Sequence, residues 1–365
     1  MWRMNSINDI LESNILEGKD VVIFGAALTG KTACDDLQAN GIEVAQFIDE
    51  NPDKQGKKYF GVSVSKQLDI TLKENAIVIL CCHSLAALSK EEFLRLGLLE
   101  RIGVDQAQLI ILDREKGTLD TVKACFETNG IDLSRQYLDL PGVRIPNYLK
   151  MDENIKISFL QECGDILLPK IFQEYSATME GPYEEEDFSI SPQGGDIVFD
   201  CGANIGLFSA MAAANPANHV YAFEPVPKTL DVLKKVQEIY ANITIVPIAL
   251  ADYSGIVRMS DSEDLGTNKI VQSSEIKGVD VTVKSLDEFV EENRIVHVDF
   301  IKADIEGAER DMLRGAKNIL RRCAPKLSIC TYHLDDDPEV LEGIIKDANP
   351  QYRVIQNRHK LFAHV

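Results

Sequence analysis

The chain lacks any apolar run long enough to span a membrane. Its first residues, Met1-Trp2-Arg3-Met4-Asn5-Ser6, lack the apolar core of a signal peptide. Positive charge is also short: 38 lysines and arginines face 58 aspartates and glutamates, a formal net charge of -20. That balance argues against nucleic acid or an anionic membrane surface as a general partner. The eight cysteines form no C-x-x-C pair, which makes structural zinc unexpected. Several sit in apolar runs such as "VILCCH" and "LSICTYH", suiting buried, reduced thiols in a cytoplasmic protein. There is no internal repeat of solenoid length.

What is present is an alternation of strand and helix over 365 residues, enough for two domains with a core each. The expected fold class is α/β with two Rossmann-like domains. The boundaries read as 1–115 for a nucleotide-binding-type domain, 116–192 for a helical connector or cap, and 193–365 for the second domain. In the connector lie a helical stretch, "ISFLQECGDILLPKIFQEY", and a loop whose run Glu184-Glu185-Glu186-Asp187 reads as solvated. Strands are expected at 196–200, 219–224, 243–250, 298–304 and 326–332. Helices are expected near 204–214, 228–240, 305–322 and 337–347, with a β-rich insertion over 251–290 and a final hairpin.

The first glycine loop, "VVIFGAALTGKT", satisfies G-x-x-x-x-G-K-S/T and also reads as G-x-A-x-x-G. A phosphate-wrapping loop usually needs more glycine than Ala26-Ala27-Leu28-Thr29 provides, although Asp113 offers an acid for magnesium. The dinucleotide reading explains more. Gly25 allows the tight turn, Gly30 allows close helix–strand packing, and Asp49 closes the next strand where a ribose acid belongs. Against it, Ala27 places a methyl group where pyrophosphate needs close backbone approach. The stretch over about residues 20–65 resembles the nucleotide-sugar-binding domain of sialic-acid-pathway-type O-acetyltransferases. That resemblance implies that Gly25, Gly30 and Asp49 face a nucleotide or nucleotide sugar. A domain that has lost its ligand remains the plain alternative.

The second loop, "DIVFDCGANIGLFSAMAAANPANHVYAFEP", places Asp200 at a strand end, Gly202 and Gly206 in the turn, and Glu224 at the next strand end. It has no G-x-G-x-x-G, which suits a ligand with no pyrophosphate to cradle. S-adenosylmethionine answers that description, with its methionine end at a helix start and its ribose on an acid. The blocks "FDCGANIGLFS", "VYAFEPVPKTLDVLKK", "IVPIALADYSG", "VKSLDEFV", "VDFIKADIEGAERDMLRGAKNIL" and "KLSICTYH" together resemble the FkbM-type S-adenosylmethionine-dependent methyltransferase family over about residues 190–335. The resemblance implies a class I, seven-stranded methyltransferase fold and methylation, usually of a hydroxyl oxygen. It implies Asp200, Gly202, Asn204 and Gly206 at the methionine end, Glu224 on the ribose, and the turn Ala249 to Asp252 near the adenine.

Candidate catalytic residues are Asp304, Glu306 and His333, because open α/β sheets bind ligands at the carboxyl ends of their strands. Glu306 and Glu309 equally suit the first turn of a helix, where acids favour the dipole. An Asp304, Glu306 and His333 metal set has no spacing signature, and no metal is expected. His83, His219, His297, His359 and His364 form no cluster in sequence and take no role. The acceptor class stays open among sugar, lipid and small-metabolite hydroxyls, as does homo-oligomerisation. The rival function is a nucleotide-sugar- or NAD-binding protein acting through the first domain, and a third is a non-catalytic interaction module.

Overall fold

The computed structural model describes all residues other than 1, 5–6, 26–27, 50–54, 60, 67, 70–71, 73, 82–107, 113, 164–189, 261–277, 335 and 358. Ala26, Ala27, Asp113 and the acidic run at 184–187 thus lie outside the described residues. The chain divides into two compact units, Met1–Thr121 and Val122–Val365. No helix among the described residues is long and apolar enough to cross a membrane.

The first unit is built on strands β1 (Trp2–Met4), β2 (Asp20–Phe24), β3 (Val44–Ile48), β4 (Lys58–Tyr59), β5 (Val62–Ser65), β6 (Ala76–Leu80) and β7 (Leu109–Leu112). They form one sheet in the order β1-β7-β6-β2-β3-β5-β4, parallel except where β4 pairs antiparallel with β5. Helix α1 (Ile7–Glu12) precedes β2, and helix α2 (Leu28–Ala39) follows it. Val21, Ile23, Leu37, Phe47, Ile77 and Ile79 are buried in its core, the expected result of near-continuous apolar strands covered on both faces. The chain winds one way from β2 to β3 and places β6 on the other side, so Gly25 lies at a topological switch point. Gly25 has φ +105°, and a Cβ at Gly30 would lie 1.7 Å from the Gly25 carbonyl oxygen.

Helix α3 (Arg114–Thr128) carries the chain across the division. The second unit then opens with a hairpin, β8 (Tyr137–Leu140) and β9 (Val143–Pro146), and helix α4 (Glu153–Glu162), whose N-terminus is capped by the Asp152 carboxylate accepting from the Ile155 N–H. Its main sheet contains β10 (Ile197–Cys201), β11 (His219–Phe223) and β12 (Ile243–Val246); helices α5 (Leu207–Ala213) and α6 (Pro227–Ile239) follow β10 and β11, and α7 (Leu286–Glu292) comes later in the chain. After a small three-stranded sheet of β13 (Ala249–Leu250), β14 (Gly255–Ser260) and β15 (Gly278–Lys284) come β16 (Phe300–Ala303), β17 (Lys326–Cys330), β18 (Arg353–Asn357) and β19 (Lys360–His364). The order is β12-β11-β10-β16-β17-β19-β18, with only β19 antiparallel to its neighbours. Counted within this sheet, that is 3-2-1-4-5-7-6. Phe199, Phe223 and Phe289 meet edge to face at its core, with centroids 4.9–6.0 Å apart.

Two expected elements differ. The strand anticipated over 243–250 ends at Val246, because Pro247 has no N–H to give to a ladder. The helix anticipated over 305–322 is split into α8 (Glu309–Arg314) and α9 (Lys317–Arg322). Between them the backbone of Gly315 passes so close to Ala251 that a Cβ would lie 2.2 Å from the Ala251 oxygen, and the Gly315 carbonyl accepts the Asp287 N–H at 2.9 Å. The apolar face survives the break: Met312, Leu313, Ala316, Ile319 and Leu320 are all buried.

Two glycines therefore answer oppositely to the same change. Gly315→Ala is expected to lower stability by about 1–3 kcal/mol, since the methyl group can only be accommodated by moving backbone. Gly343 lies inside helix α10 (Asp337–Ala348) with nothing within 4 Å of a built Cβ, so Gly343→Ala should raise stability by about 0.5–1 kcal/mol. Urea denaturation of the two variants tests the pair.

Candidate active site

The site forms where β10, β11 and β16 end side by side. After Cys201 the chain makes a turn with three residues in the left-handed region, Gly202 (φ +80°), Asn204 (φ +47°) and Gly206 (φ +86°), before helix α5 (Leu207–Ala213). Asparagine is among the few side chains that tolerate this conformation. The turn is fastened to β11 because Gly202 and Ala203 both donate their N–H to the Phe223 carbonyl.

Glu224 follows β11 and is buried, with one carboxylate oxygen accepting the Asn204 N–H and the other the Val226 N–H, each at 2.8 Å. Burial pushes its carboxyl above the usual carboxylate range, partly offset by those N–H groups and the Thr229 hydroxyl. The Asn204 amide nitrogen donates to Ser158 Oγ and Glu162 Oε1, both at 2.7 Å, while its Oδ1 is buried without a partner. Helix α4 thus brings Ser158 and Glu162 to the glycine turn. Sequence spacing alone gave no sign of either.

Asp200 is placed beneath the turn rather than facing outward. It is fully buried, its Oδ2 accepts the Ser209 hydroxyl at 2.6 Å, and its Oδ1 lies 3.1 Å from Lys302 Nζ. Lys302 also donates to the Gly202 carbonyl at 2.6 Å. Burial alone would push this ammonium down, yet Asp200, Asp304 and Glu162 hold it above the ordinary lysine range. Asp252, beyond β13, is exposed.

Asp304 follows β16 directly, and its N–H donates to the Cys201 carbonyl at 3.0 Å. A Cβ at Gly202 would lie 1.9 Å from the Asp304 carbonyl oxygen, so the two strand ends are in backbone contact. Around Asp304 the tight turn through Glu306 (φ +56°) and Gly307 (φ +97°) gathers three carboxylates about one imidazole. His333 Nε2 is 3.8 Å from Asp304 Oδ1 and 3.6 Å from Glu306 Oε2, and its Nδ1 is 3.3 Å from Glu309 Oε1. The Tyr332 hydroxyl donates to Asp304 Oδ1 at 2.9 Å, and the Ile305 N–H donates to Glu309 Oε1 at 2.8 Å. The structure therefore unites Asp304, Glu306 and His333, and adds Glu309 and Tyr332 to them.

Within this group burial pushes Glu306 upward, with His333 pulling it back and the neighbouring acids reinforcing the rise. For His333 burial pulls downward, but Glu306, Glu309 and Asp304 outweigh it and push the imidazole up to about 11.

The sheet order, the acid after β11 and the acid after β16 are together the layout of a methyltransferase. Residues 200–352 match the family described as the methyltransferase FkbM domain. Over these residues the chain is similar to the FkbM methyltransferase family. The hexuronic acid methyltransferase AglP of Haloferax volcanii is 28% identical over 159 residues, covering 42% of this chain and 62% of its own. The 31-O-demethyl-FK506 methyltransferase FkbM of Streptomyces tacrolimicus is 27% identical over 158 residues, covering 34% of this chain and 60% of its own. The chain thus spans about three fifths of the length of these curated relatives. A crystal structure of methyltransferase FkbM from Methylobacillus flagellatus aligns with 98% of this chain and 93% of its own, at 17% identity and a TM-score of 0.42.

The raised His333 pKa has a stated pH window. The folded domain holds this proton more tightly than the unfolded chain, so the stabilisation is complete below about pH 6.5. It is lost as pH rises toward about 11. In chelator-treated protein at pH 8, nitrogen-detected imidazole NMR should find both His333 ring nitrogens protonated. His219, whose pKa is lowered by burial, should be neutral in the same spectrum. A neutral His333 at that pH would overturn the pairing of a protonated imidazole with these carboxylates.

Proposed function

We propose that the second unit is an S-adenosylmethionine-dependent O-methyltransferase acting on a hydroxyl of a sugar, lipid or small metabolite. The observation that carries the reading is the backbone contact of Gly202 with Asp304, which sets the acid cluster against the turn that Glu224 and Asn204 organise. The residues suit the cofactor. Each Glu224 oxygen accepts one N–H and the Thr229 hydroxyl lies beside them, and a carboxylate has about four acceptor positions, leaving capacity for a ribose hydroxyl. The unpartnered Asn204 Oδ1, with Glu162 beside the same side chain, offers acceptors for an ammonium group. Gly202 and Gly206 complete the methionine-end turn, and the exposed Asp252 turn borders the adenine in this reading. Bound there, S-adenosylmethionine supplies a methyl group on cationic sulfur for transfer to the acceptor oxygen, with loss of the hydroxyl proton.

In this proposal Asp304 orients the acceptor hydroxyl and takes its proton at a carboxylate oxygen. Glu306 is the neighbouring carboxylate that can share that proton. His333, pushed up to about 11 by Glu306, Glu309 and Asp304, pairs with these carboxylates as a cation and is not itself the base. The near relatives support an oxygen acceptor: one is named for a hexuronic acid and another for the 31-O position of FK506. For the first unit, the switch-point position of Gly25, the packing of Gly30 and the placement of Asp49 after β3 support a nucleotide or nucleotide-sugar site.

Two variants separate binding from chemistry. Glu224→Ala should weaken S-adenosylhomocysteine binding by about 1–3 kcal/mol, the scale of lost charged hydrogen bonds, as measured by calorimetry. Asp304→Asn should leave that affinity near wild type and slow turnover by about 10²–10⁴-fold, once a hydroxyl acceptor is found by mass-gain screening. Wild-type rates in Asp304→Asn would dismiss it as the base. Calorimetry with a nucleotide sugar, repeated on Asp49→Ala, tests the first unit; equal heats from both proteins would remove that site.

A further inference from the structure

We propose that the acid–imidazole cluster after β16 is a binding site for one divalent metal ion of the manganese class, held by Asp304, Glu309 and His333. The site stands on the cluster itself. Its role, to take the acceptor oxygen and lower the pKa of that hydroxyl, rests on the methyltransferase reading above.

One ligand atom from each of Asp304, Glu309 and His333 lies within 4.8 Å of the other two. Ligands bonded to one ion at about 2.0–2.2 Å lie about 3–4.4 Å apart, so the group needs only a small closure. The side chains are also buried in a way that a ligand would relieve. Glu309 is 1% exposed, and its Oε2 is buried without a hydrogen-bond partner while Oε1 is occupied by the Ile305 N–H. His333 has a side chain only 9% exposed, and neither ring nitrogen makes a hydrogen bond of acceptable geometry. Buried polar atoms are rarely left in this state unless something else occupies the site.

Charge points the same way. Asp304, Glu306 and Glu309 place three formal negative charges around one imidazole. The nearby Lys302 lies 3.1 Å from Asp200 and donates to the Gly202 carbonyl, and it also feels the charge of Asp304. A divalent cation in place of the His333 proton brings the group close to neutrality. The orienting contacts are those of a metal site as well: Tyr332 fixes Asp304 from outside, and the Ile305 N–H fixes Glu309.

The donor set selects the metal class. Two carboxylates and one imidazole are harder than the sites zinc favours and include a nitrogen that magnesium seldom takes, which leaves manganese or ferrous iron. Three protein ligands leave coordination positions for an acceptor oxygen. Once bound, the ion takes over the role given above to protonated His333, and Lewis-acid activation of the hydroxyl lets the neighbouring Glu306 carboxylate take the proton in place of Asp304.

The test uses the full chain, treated with chelator and then titrated with manganese(II), free ion being read by electron paramagnetic resonance. One saturable site per chain is expected. Glu309→Gln and Asp304→Asn should each weaken it at least tenfold, whereas Asp231→Asn, an exposed acid elsewhere, should titrate as wild type. Circular dichroism confirms folding, and if Glu309→Gln does not fold then Asp304→Asn alone decides. No saturable site in the wild type, or unchanged affinity in the folded variants, overturns the proposal. S-adenosylhomocysteine calorimetry on the same samples keeps the two readings apart. Manganese binding without nucleoside binding would remove the methyltransferase role and leave the metal site, and nucleoside binding without manganese would do the reverse.

Discussion

The site depends on one buried lysine. Lys302 projects from β16 to Asp200 on β10 and to the carbonyl of Gly202, so a single ammonium links the floor of the glycine turn to the strand that delivers the acids. Both charges are almost fully buried, and taking them from water is costly unless every proton and lone pair finds a partner. Here Ser209 supplies the other contact of Asp200 and the Gly202 carbonyl supplies that of Lys302. Removing either member would leave an uncompensated charge, typically worth about 3–5 kcal/mol. The pair is therefore a constraint as much as a stabilisation. It holds β10 and β16 in the register where Cys201 is opposite Ala303, and Gly202 then meets Asp304.

That register explains why the acids are concentrated at one place. With Asp304 fixed by its own N–H to Cys201, the left-handed turn at Glu306 and Gly307 can only bring the following carboxylates back over the end of β17, where His333 waits. A left-handed glutamate is conformationally unfavourable by roughly 1–2 kcal/mol. The surrounding contacts hold it there, which is the pattern of strain kept at a functional position. The outcome is a compact acidic cluster beside a turn in which the buried Asn204 Oδ1 keeps no hydrogen-bond partner.

Much of this was legible in the sequence. Apolar runs marked β10, β11, β16 and β17 within a residue or two, and the spacing from Gly202 to Glu224 marked an acid at the neighbouring strand end. The gathering of Asp304, Glu306 and His333 followed from the rule that open sheets bind at strand ends. What stayed hidden is what depends on distant chain. Ser158 and Glu162 reach Asn204 across 46 and 42 residues, and no local period records such contacts. Lys302 looks in sequence like an ordinary charge inside an apolar strand, yet it is the buried partner of Asp200. Glu309 appeared as a helix-start acid, which it is, but its side chain turns back onto Ile305 and His333. Helical periodicity ran straight through Gly315 because the break there is imposed by the backbone of Ala251, far away in sequence.

The glycines offer the last step. The sparse glycine of the second loop reads naturally as the mark of a ligand without pyrophosphate, but the structure supplies a nearer cause. Gly202 is required by the Asp304 carbonyl, with only 1.9 Å to a built Cβ, and Gly206 by its own left-handed backbone at φ +86°. In the first unit Gly30 is required by the Gly25 carbonyl in the same way. Each of these residues is fixed by the protein's own backbone, before any ligand is considered. A glycine pattern at a strand end therefore reports first how closely the backbone approaches itself. The ligand class is read better from the buried polar atoms left without a hydrogen bond, which among the described residues at these strand ends include Asn204 Oδ1, Glu309 Oε2 and the two nitrogens of His333.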